Sequence, residues 1–382
     1  MPNPQTQTAV DTVSCQHCAD MIPLDDAVII NEDYLCEDCA DTQTTVCGHC
    51  GERIWNEDDY GDSTISLCQH CRDYVYHACC ECGSLIRRDD ASFEEDDDDG
   101  DNPYCPECYG HVRSSPIHRF DYKPELVFYG SGSRFFGVEL EVDDAGKDSD
   151  NAEAALSVLN AKQELGYIKS DGSLNDGFEL VLHPMTLDFH LSDEMPWRQV
   201  LDCLKRMGYY SHLTSTCGLH VHVNRSTFGN TEEEQEYAIA AILYLFERFW
   251  EEILRFSRRT EDQVRKWADR YGYKNSGMAI LAEAKNAYAG RYSCVNLTNA
   301  HTIEFRVFRG TLRLNTILAT LEFLDLICDT ALTVSERRLC KFSWMDLMLR
   351  IDPEKMPHLV RYLKERRMYI NEPIEPQPGE EE

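Results

Sequence analysis

Lysine is missing from the first third of this chain. None occurs before Lys123, and residues 1 to 113 set five arginines against 26 acidic side chains, a net of −21. A module that grips nucleic acid needs Lys and Arg to replace phosphate counterions, so this segment is excluded as one. Also missing are a basic start with an apolar run behind Met1 and any stretch near the roughly 18 uninterrupted apolar residues of a membrane span. The expectation is a cytoplasmic protein with neither nucleic acid nor membrane as partner. The rest of the chain carries 42 acidic and 32 basic side chains, completing a net charge of −31. A length of 382 residues with 42% hydrophobic content is enough for two or three domains and a sizeable core.

Thirteen of the 18 cysteines precede residue 110, and twelve of them form CxxC pairs: Cys15/Cys18, Cys36/Cys39, Cys47/Cys50, Cys68/Cys71, Cys79/Cys82 and Cys105/Cys108. Units begin at Cys15, Cys47 and Cys79, a period of 32 residues. The first two share the form C-x2-C-x17-C-x2-C, and the third has x22 between its pairs. Its five extra residues coincide with the acidic run Glu94 to Asp99, read as an insertion in a solvated loop. Two thiolates three residues apart can turn back onto one ion, and two such knuckles close a tetrahedral site with no open position. Such a site is structural. A disulfide framework is the alternative, and a cytosolic chain of repeated CxxC pairs favours zinc. His17, His49, His70 and His77 lie near the knuckles, and Cys80 beside Cys79 leaves that ligand ambiguous. The segment has the look of a zinc-ribbon or LIM-like array of three ions, ordered by metal and suited to docking a protein partner.

Composition changes at Ser114, and Pro116 and Pro124 mark a linker. The expected organisation is three zinc modules over 1–113, a catalytic domain over 114–371 and a disordered acidic tail over 372–382. Apolar alternation predicts strands at 134–143, 177–185, 217–224, 292–298 and 301–308, and helical periodicity predicts helices at 151–165, 196–207, 232–257, 315–333 and 354–367. Strands and helices do not alternate regularly. That points to an α+β fold with a largely antiparallel sheet and flanking helices.

Several of these strands carry polar groups on one face. In Phe136-Gly137-Val138-Glu139-Leu140-Glu141-Val142 the two carboxylates share a face opposite Val138, Leu140 and Val142. Taken alone, a solvated face explains them. His220 and His222 repeat the arithmetic against Leu219, Val221 and Val223, and an HxH pair on a strand makes a good metal or phosphate site. Glu304 and Arg306 repeat it against Ile303, Phe305 and Val307. Glu179 lies on a strand that follows the turn Lys169-Ser170-Asp171-Gly172-Ser173-Leu174. Four apolar strands that each expose carboxylate, imidazole or guanidinium suggest a shared polar funnel.

The order Glu-x-Glu, Gly-Phe-Glu, Gly-Leu-His-Val-His and Ile-Glu-Phe-Arg resembles the amidoligase family, which is related to glutamine synthetase and glutamate-cysteine ligase. The resemblance covers about 134 to 330 and is most specific at the HVH and EFR segments. It implies a glutamine synthetase-like antiparallel sheet and an ATP- and Mg2+-dependent carboxylate-amine ligase working through an acyl phosphate. Carried over by motif, Glu139, Glu141, Glu179, His220 and Glu304 hold Mg2+, and His222 lies beside the ATP phosphates with Ser173. Arg306, Arg309 and Arg291 stand over the γ-phosphate and the substrate carboxylate. Asp171 orients or deprotonates the amine, although Asp-Gly-Ser is equally an ordinary turn. The loops that would choose the acid and amine match nothing; a docking array tilts the choice toward a peptide or protein. Two other readings stay open: a metallohydrolase built on the HxH strand, and a zinc-dependent scaffold whose ligase-like domain is inactive.

Overall fold

The computed structural model describes residues 11–93, 100–286 and 292–369; the acidic run Glu94 to Asp99, Arg291 and the 372–382 tail lie outside them. The chain divides into two compact units, Met1–Ser115 and Pro116–Glu382.

In the first unit each leading CxxC pair sits in the turn of a two-stranded antiparallel hairpin. The hairpins are Thr12–Ser14 with Met21–Pro23, Thr44–Val46 with Arg53–Trp55, and Tyr76–Ala78 with Leu85–Arg87. Each trailing pair opens a short helix: Glu37–Gln43, Gln69–Tyr74 or Pro106–Ser114. Cys36, Cys68 and Cys105 cap these helices, their sulfurs accepting the N–H of Cys39, Cys71 and Cys108 at 3.4 Å. A thiolate is well placed there, where free N–H groups and the helix dipole favour negative charge. The apolar interiors are small. Ile30, Leu35 and Ala40 surround Cys15 and Cys39, while Ile54, Leu67 and Tyr76 surround Cys47, Cys68 and Cys71. The modules abut without linkers: the strand at Thr44 follows directly on Gln43, Trp55 packs on the first module's cluster, and the Leu85 N–H donates to Asp62 at 2.9 Å.

The second unit is built on one seven-stranded sheet. Its strands are β1 (Ile117–His118), β2 (Phe136–Val142), β3 (Gly166–Lys169), β4 (Phe178–Leu182), β5 (Gly218–Asn224), β6 (Val295–Asn296) and β7 (Thr302–Arg309), in the order β6-β7-β5-β2-β4-β3-β1. All neighbours are antiparallel except β1 and β3, which run parallel. The sheet is therefore largely antiparallel, as the irregular order of strands and helices predicts, and mixed only at the β1–β3 edge. β1 and β3 are too short to show an alternation of their own.

Period two fixes the two faces. Val138, Leu140, Leu219, Val221, Val223, Ile303 and Phe305 are all buried on one side, under helices that include α4 (Glu232–Arg248), α5 (Trp250–Ser257) and α8 (Leu314–Thr333). Phe246 of α4 meets Phe305 at 5.4 Å and Phe256 of α5 meets Phe308 at 6.0 Å. The remaining helices are α1 (Ser149–Leu159), α2 (Leu187–Leu191), α3 (Trp197–Arg206), α6 (Glu261–Trp267), α7 (Gly277–Asn286), α9 (Glu336–Leu339), α10 (Trp344–Met348) and α11 (Pro357–Glu365).

Two boundaries depart from the sequence reading. The helix predicted over 232–257 breaks at Phe249, where the backbone leaves helical geometry. Phe249 and Ile253 are both buried, so the apolar period runs through the break and conceals it. The helix predicted to 165 ends at Leu159 because Asn160 turns its side chain onto the N–H groups of Leu165 and Gly166 and starts β3.

Candidate functional site

The polar face of the sheet is a set of cross-strand neighbours. Glu139 on the central strand β2 pairs with His220 on β5, Glu141 with Glu179 on β4, Glu179 with Lys169 on β3, and His222 with Glu304 on β7. Directly opposed side chains in a sheet lie within contact distance, so this register alone brings the polar groups together. They line a cleft of about 300 Å³.

His220 Nδ1 lies 3.4 Å from Glu139 and 3.8 Å from both Glu141 and Glu304, and His222 Nε2 lies 3.3 Å from Glu139. Both nitrogens are buried and lack a hydrogen-bond partner. His222 Nδ1 sits 3.2 Å from the Thr302 hydroxyl, a contact that leaves Nε2 with its lone pair toward the carboxylates when Nδ1 carries the proton. Glu139, His222 and Glu304, and separately Glu139, Glu179 and His220, offer ligand atoms all within 4.8 Å of one another. Buried oxygens with two orphaned imidazole nitrogens fit a divalent cation, and their predominance favours a hard one.

Electrostatics describe a crowded site. Burial pushes the Glu179 carboxyl well above the usual range and neighbouring Glu139 pushes it further; burial also raises Glu141. Burial would raise Glu139 too, but His222 and His220 hold it well below the usual range. His222 is raised in turn, Glu139 outweighing the effect of burial.

The cleft gathers Glu139, Glu141, Glu179, His220, His222, Glu304, Arg306, Asp171 and Ser173. Asp171 accepts the Ser173 N–H at 2.6 Å, an Asx turn, so the ordinary-turn geometry and a place in the cleft coexist. Buried Asp143 ties down the far side of this loop by accepting the N–H groups of Asn175 and Asp176. Arg306 pairs with Glu304. Arg309 is not among the cleft residues. A bulge in β7 sets Arg306 and Val307 opposite His220, so that Arg309 pairs with Gly218 one step beyond. Arg291 lies outside the described residues.

Three cleft groups have no role in the sequence reading. Lys169 reaches Glu179 at 3.3 Å and Glu139 at 3.8 Å, a cation set against two of the expected metal ligands. Asn296 donates to Glu304 at 2.7 Å. Arg259, 6% exposed, enters from the loop after α5. The side of the strand taken by Glu179 could have flagged Lys169, its partner across the hairpin; nothing local marks Arg259. Gly218 makes room for this arrangement: a Cβ there would fall 2.5 Å from His220 Nε2 and 2.9 Å from an Arg259 nitrogen.

In the first unit the cysteines gather as Cys15/Cys18/Cys36/Cys39, Cys47/Cys50/Cys68/Cys71 and Cys79/Cys82/Cys105/Cys108, each set within 4.8 Å. The Cys18–Cys36 and Cys50–Cys68 sulfurs are 3.8 Å apart, and Cys82–Cys105 4.0 Å. Four sulfurs at about 2.3 Å from one tetrahedral ion stand about 3.8 Å from each other, so the tetrads fit zinc. Buried Cys79 belongs to the third tetrad and exposed Cys80 does not.

Among known proteins, residues 139–328 match the family described as "Putative amidoligase enzyme". No curated protein matches. Among solved structures, the chain is similar to one in the crystal structure of the complex between Prokaryotic Ubiquitin-like Protein Pup and its ligase PafA. The two are 11% identical with a TM-score of 0.29, over 64% of this chain and 59% of that one. No described helix is long and apolar enough to cross a membrane.

Proposed function

From the amidoligase match and the cleft together, we propose that the second unit is an ATP- and Mg2+-dependent carboxylate-amine ligase with a glutamine synthetase-like sheet, acting in the cytosol. The observation that carries this reading is the convergence of Glu139, Glu141, Glu179, Glu304 and two orphaned imidazole nitrogens on one sheet face. Glu139, Glu141, Glu179, His220 and Glu304 would hold Mg2+, which when bound would offset phosphate charge.

The substrate carboxylate attacks the γ-phosphorus of ATP, giving an acyl phosphate and ADP. The amine then attacks the acyl carbon, loses a proton and expels phosphate. Arg306, pinned by Glu304, stands ready to offset charge that develops on phosphoryl and acyl oxygens. His222 and Ser173 contact the nucleotide phosphates, and Asp171 takes up the amine proton. Arg309, one register step beyond the cleft, and Arg291 are assigned to the substrate carboxylate. The zinc tetrads order the first unit, whose surface docks a protein or peptide partner. A zinc hydrolase is disfavoured by the excess of carboxylates over histidines, and an inactive scaffold by the presence of every proposed ligand.

Phosphate release from ATP and Mg2+ by the full chain, with pooled amino acids, polyamines and peptides, tests the reading. Substrate-stimulated release that falls by a factor of at least about 100 in Glu304→Ala supports the ligase. Absence of ATP binding under every condition overturns it.

A further inference from the structure

A second charged recess lies beside the cleft. Arg255, Arg258, Arg259, Arg366 and Arg367 line a trough of about 760 Å³ next to α5 and the C-terminal end of α11. Among the described residues none of these five has an ion-paired carboxylate; their hydrogen bonds go to main-chain carbonyls. Arg255 and Arg366 each donate to the other's carbonyl, at 2.6 and 2.9 Å, Arg258 donates to that of Arg309 and Arg259 to that of Phe308. The Nε atoms of Arg258, Arg259 and Arg366 are buried and have no partner.

Elsewhere in the unit Arg134 pairs with Asp325, Arg270 with Glu247, Arg306 with Glu304 and Arg313 with Glu365, while Arg225 and Arg248 bond main-chain carbonyls as the trough arginines do. What distinguishes the trough in a chain of net charge −31 is the gathering itself: five arginines line one recess against two lining acids among the described residues, Glu251 and Glu252. Their arrangement also carries strain. Arg258 takes a left-handed backbone, φ +64°, at the end of α5, a conformation that costs a non-glycine residue of order 1 kcal/mol and tends to persist at functional positions. Burial disfavours the Arg258 charge, and the neighbouring Arg366, Arg309 and Arg313 add to that. Bringing an anion into the trough would relieve it.

The lining also indicates which anion. Glu251 and Glu252 share the trough, so five arginines stand against two acids and the lining keeps a positive excess. Spaced single carboxylates can each meet a guanidinium fork, while Leu254, Trp344 and Met368 offer apolar contact to backbone and side-chain stems. Arg259 lines both the trough and the metal-fitting cleft, which sets the two recesses on either side of one buried side chain.

We propose that the arginine trough binds a carboxylate-rich peptide segment and delivers its reacting group to the cleft. Binding stands independently of the chemistry; delivery rests on the ligase reading. The test is fluorescence anisotropy of a fluorescein-labelled hexaglutamate peptide titrated with the full chain, with labelled hexalysine as the charge control. Hexaglutamate binds and weakens as salt rises, hexalysine does not bind, and exposed Arg367→Glu weakens binding about tenfold or more. Arg258→Gln, which keeps the left-handed position but removes the charge, gives a second loss in case the first variant folds poorly. Undiminished binding by both variants overturns the proposal, and so does tripolyphosphate displacing the peptide at lower concentration than unlabelled hexaglutamate. Peptide binding without ATP-dependent phosphate release would sink the ligase and leave the trough; phosphate release with small acids and no peptide binding would do the reverse.

Discussion

The two units of this chain put residues that fit metal to opposite uses. In the first, cysteines occupy the interior that apolar side chains would otherwise fill: they make up two of five buried residues in the first module's cluster and three of six in the second's, and the helices they cap have only six or seven residues. In the second, the core is complete without any ion, and the acidic and imidazole groups lie on the face of a sheet whose other side is sealed by Leu, Val, Ile and Phe. A ligand that substitutes for a core makes folding depend on metal. A ligand projecting from a finished core costs stability and leaves the metal free for chemistry.

The strongest way to break this contrast is to strip metal. Structural zinc contributes an apparent 10 to 16 kcal/mol per site in small modules, of order the whole stability of a domain. Chelation of the full chain should therefore abolish amide protection in the helices at 37–43, 69–74 and 106–114 while leaving β2, β5 and β7 protected, as read by hydrogen exchange. Loss of protection in both units together would mean that they do not differ as described.

A smaller effect sharpens the contrast from the other side. Glu322 of α8 is fully buried, accepts the Leu359 N–H at 2.6 Å, and has its other oxygen unpartnered. Burial raises its carboxyl from 4.5 to about 7. The folded state thus binds this proton more tightly than the unfolded one, so the contribution to stability is full below about pH 4.5 and is lost as pH rises through 7. That loss is of order 3 kcal/mol at 1.36 kcal/mol per unit. Glu322→Gln should flatten the pH dependence of the second unit's melting and raise its stability at pH 8, with zinc content unchanged. An unaltered pH profile would remove the carboxyl from this account.

The smallest expected effect is none. Cys80→Ser should retain three zinc ions per chain, whereas Cys79→Ser should retain two, because only Cys79 joins the tetrad. Metal analysis of the two variants decides between them.

Much of this site is legible in the sequence because both periodicities that carry it are local. CxxC spacing is read within four residues, and alternation along β2, β5 and β7 shows which side chains share a face. What escapes is set by distant partners. Lys169 joins the site through a two-strand register that no single segment reveals. Arg259 arrives from a left-handed turn that follows an uninterrupted apolar period. The offset of Arg309 depends on a bulge opposite His220, which leaves no mark on the composition of β7. Counting in twos from Glu304 would set Arg309 on the apolar face; the bulge restores it to the polar one, yet beyond the cleft.

The register of β5 also acts as a check on assembly. Because ligands and core residues alternate along it, a slip of one position would drive His220 and His222 into the interior and turn Leu219, Val221 and Val223 out to water. Each misplaced aliphatic side chain costs about 1.5 to 3 kcal/mol, and each buried imidazole without a partner adds to that. Misthreaded chains are therefore discarded by the same strand that builds the site. Any molecule stable enough to persist carries its ligands in alignment, and errors of pairing are removed as unfolded protein instead of accumulating as folded protein with a defective cleft.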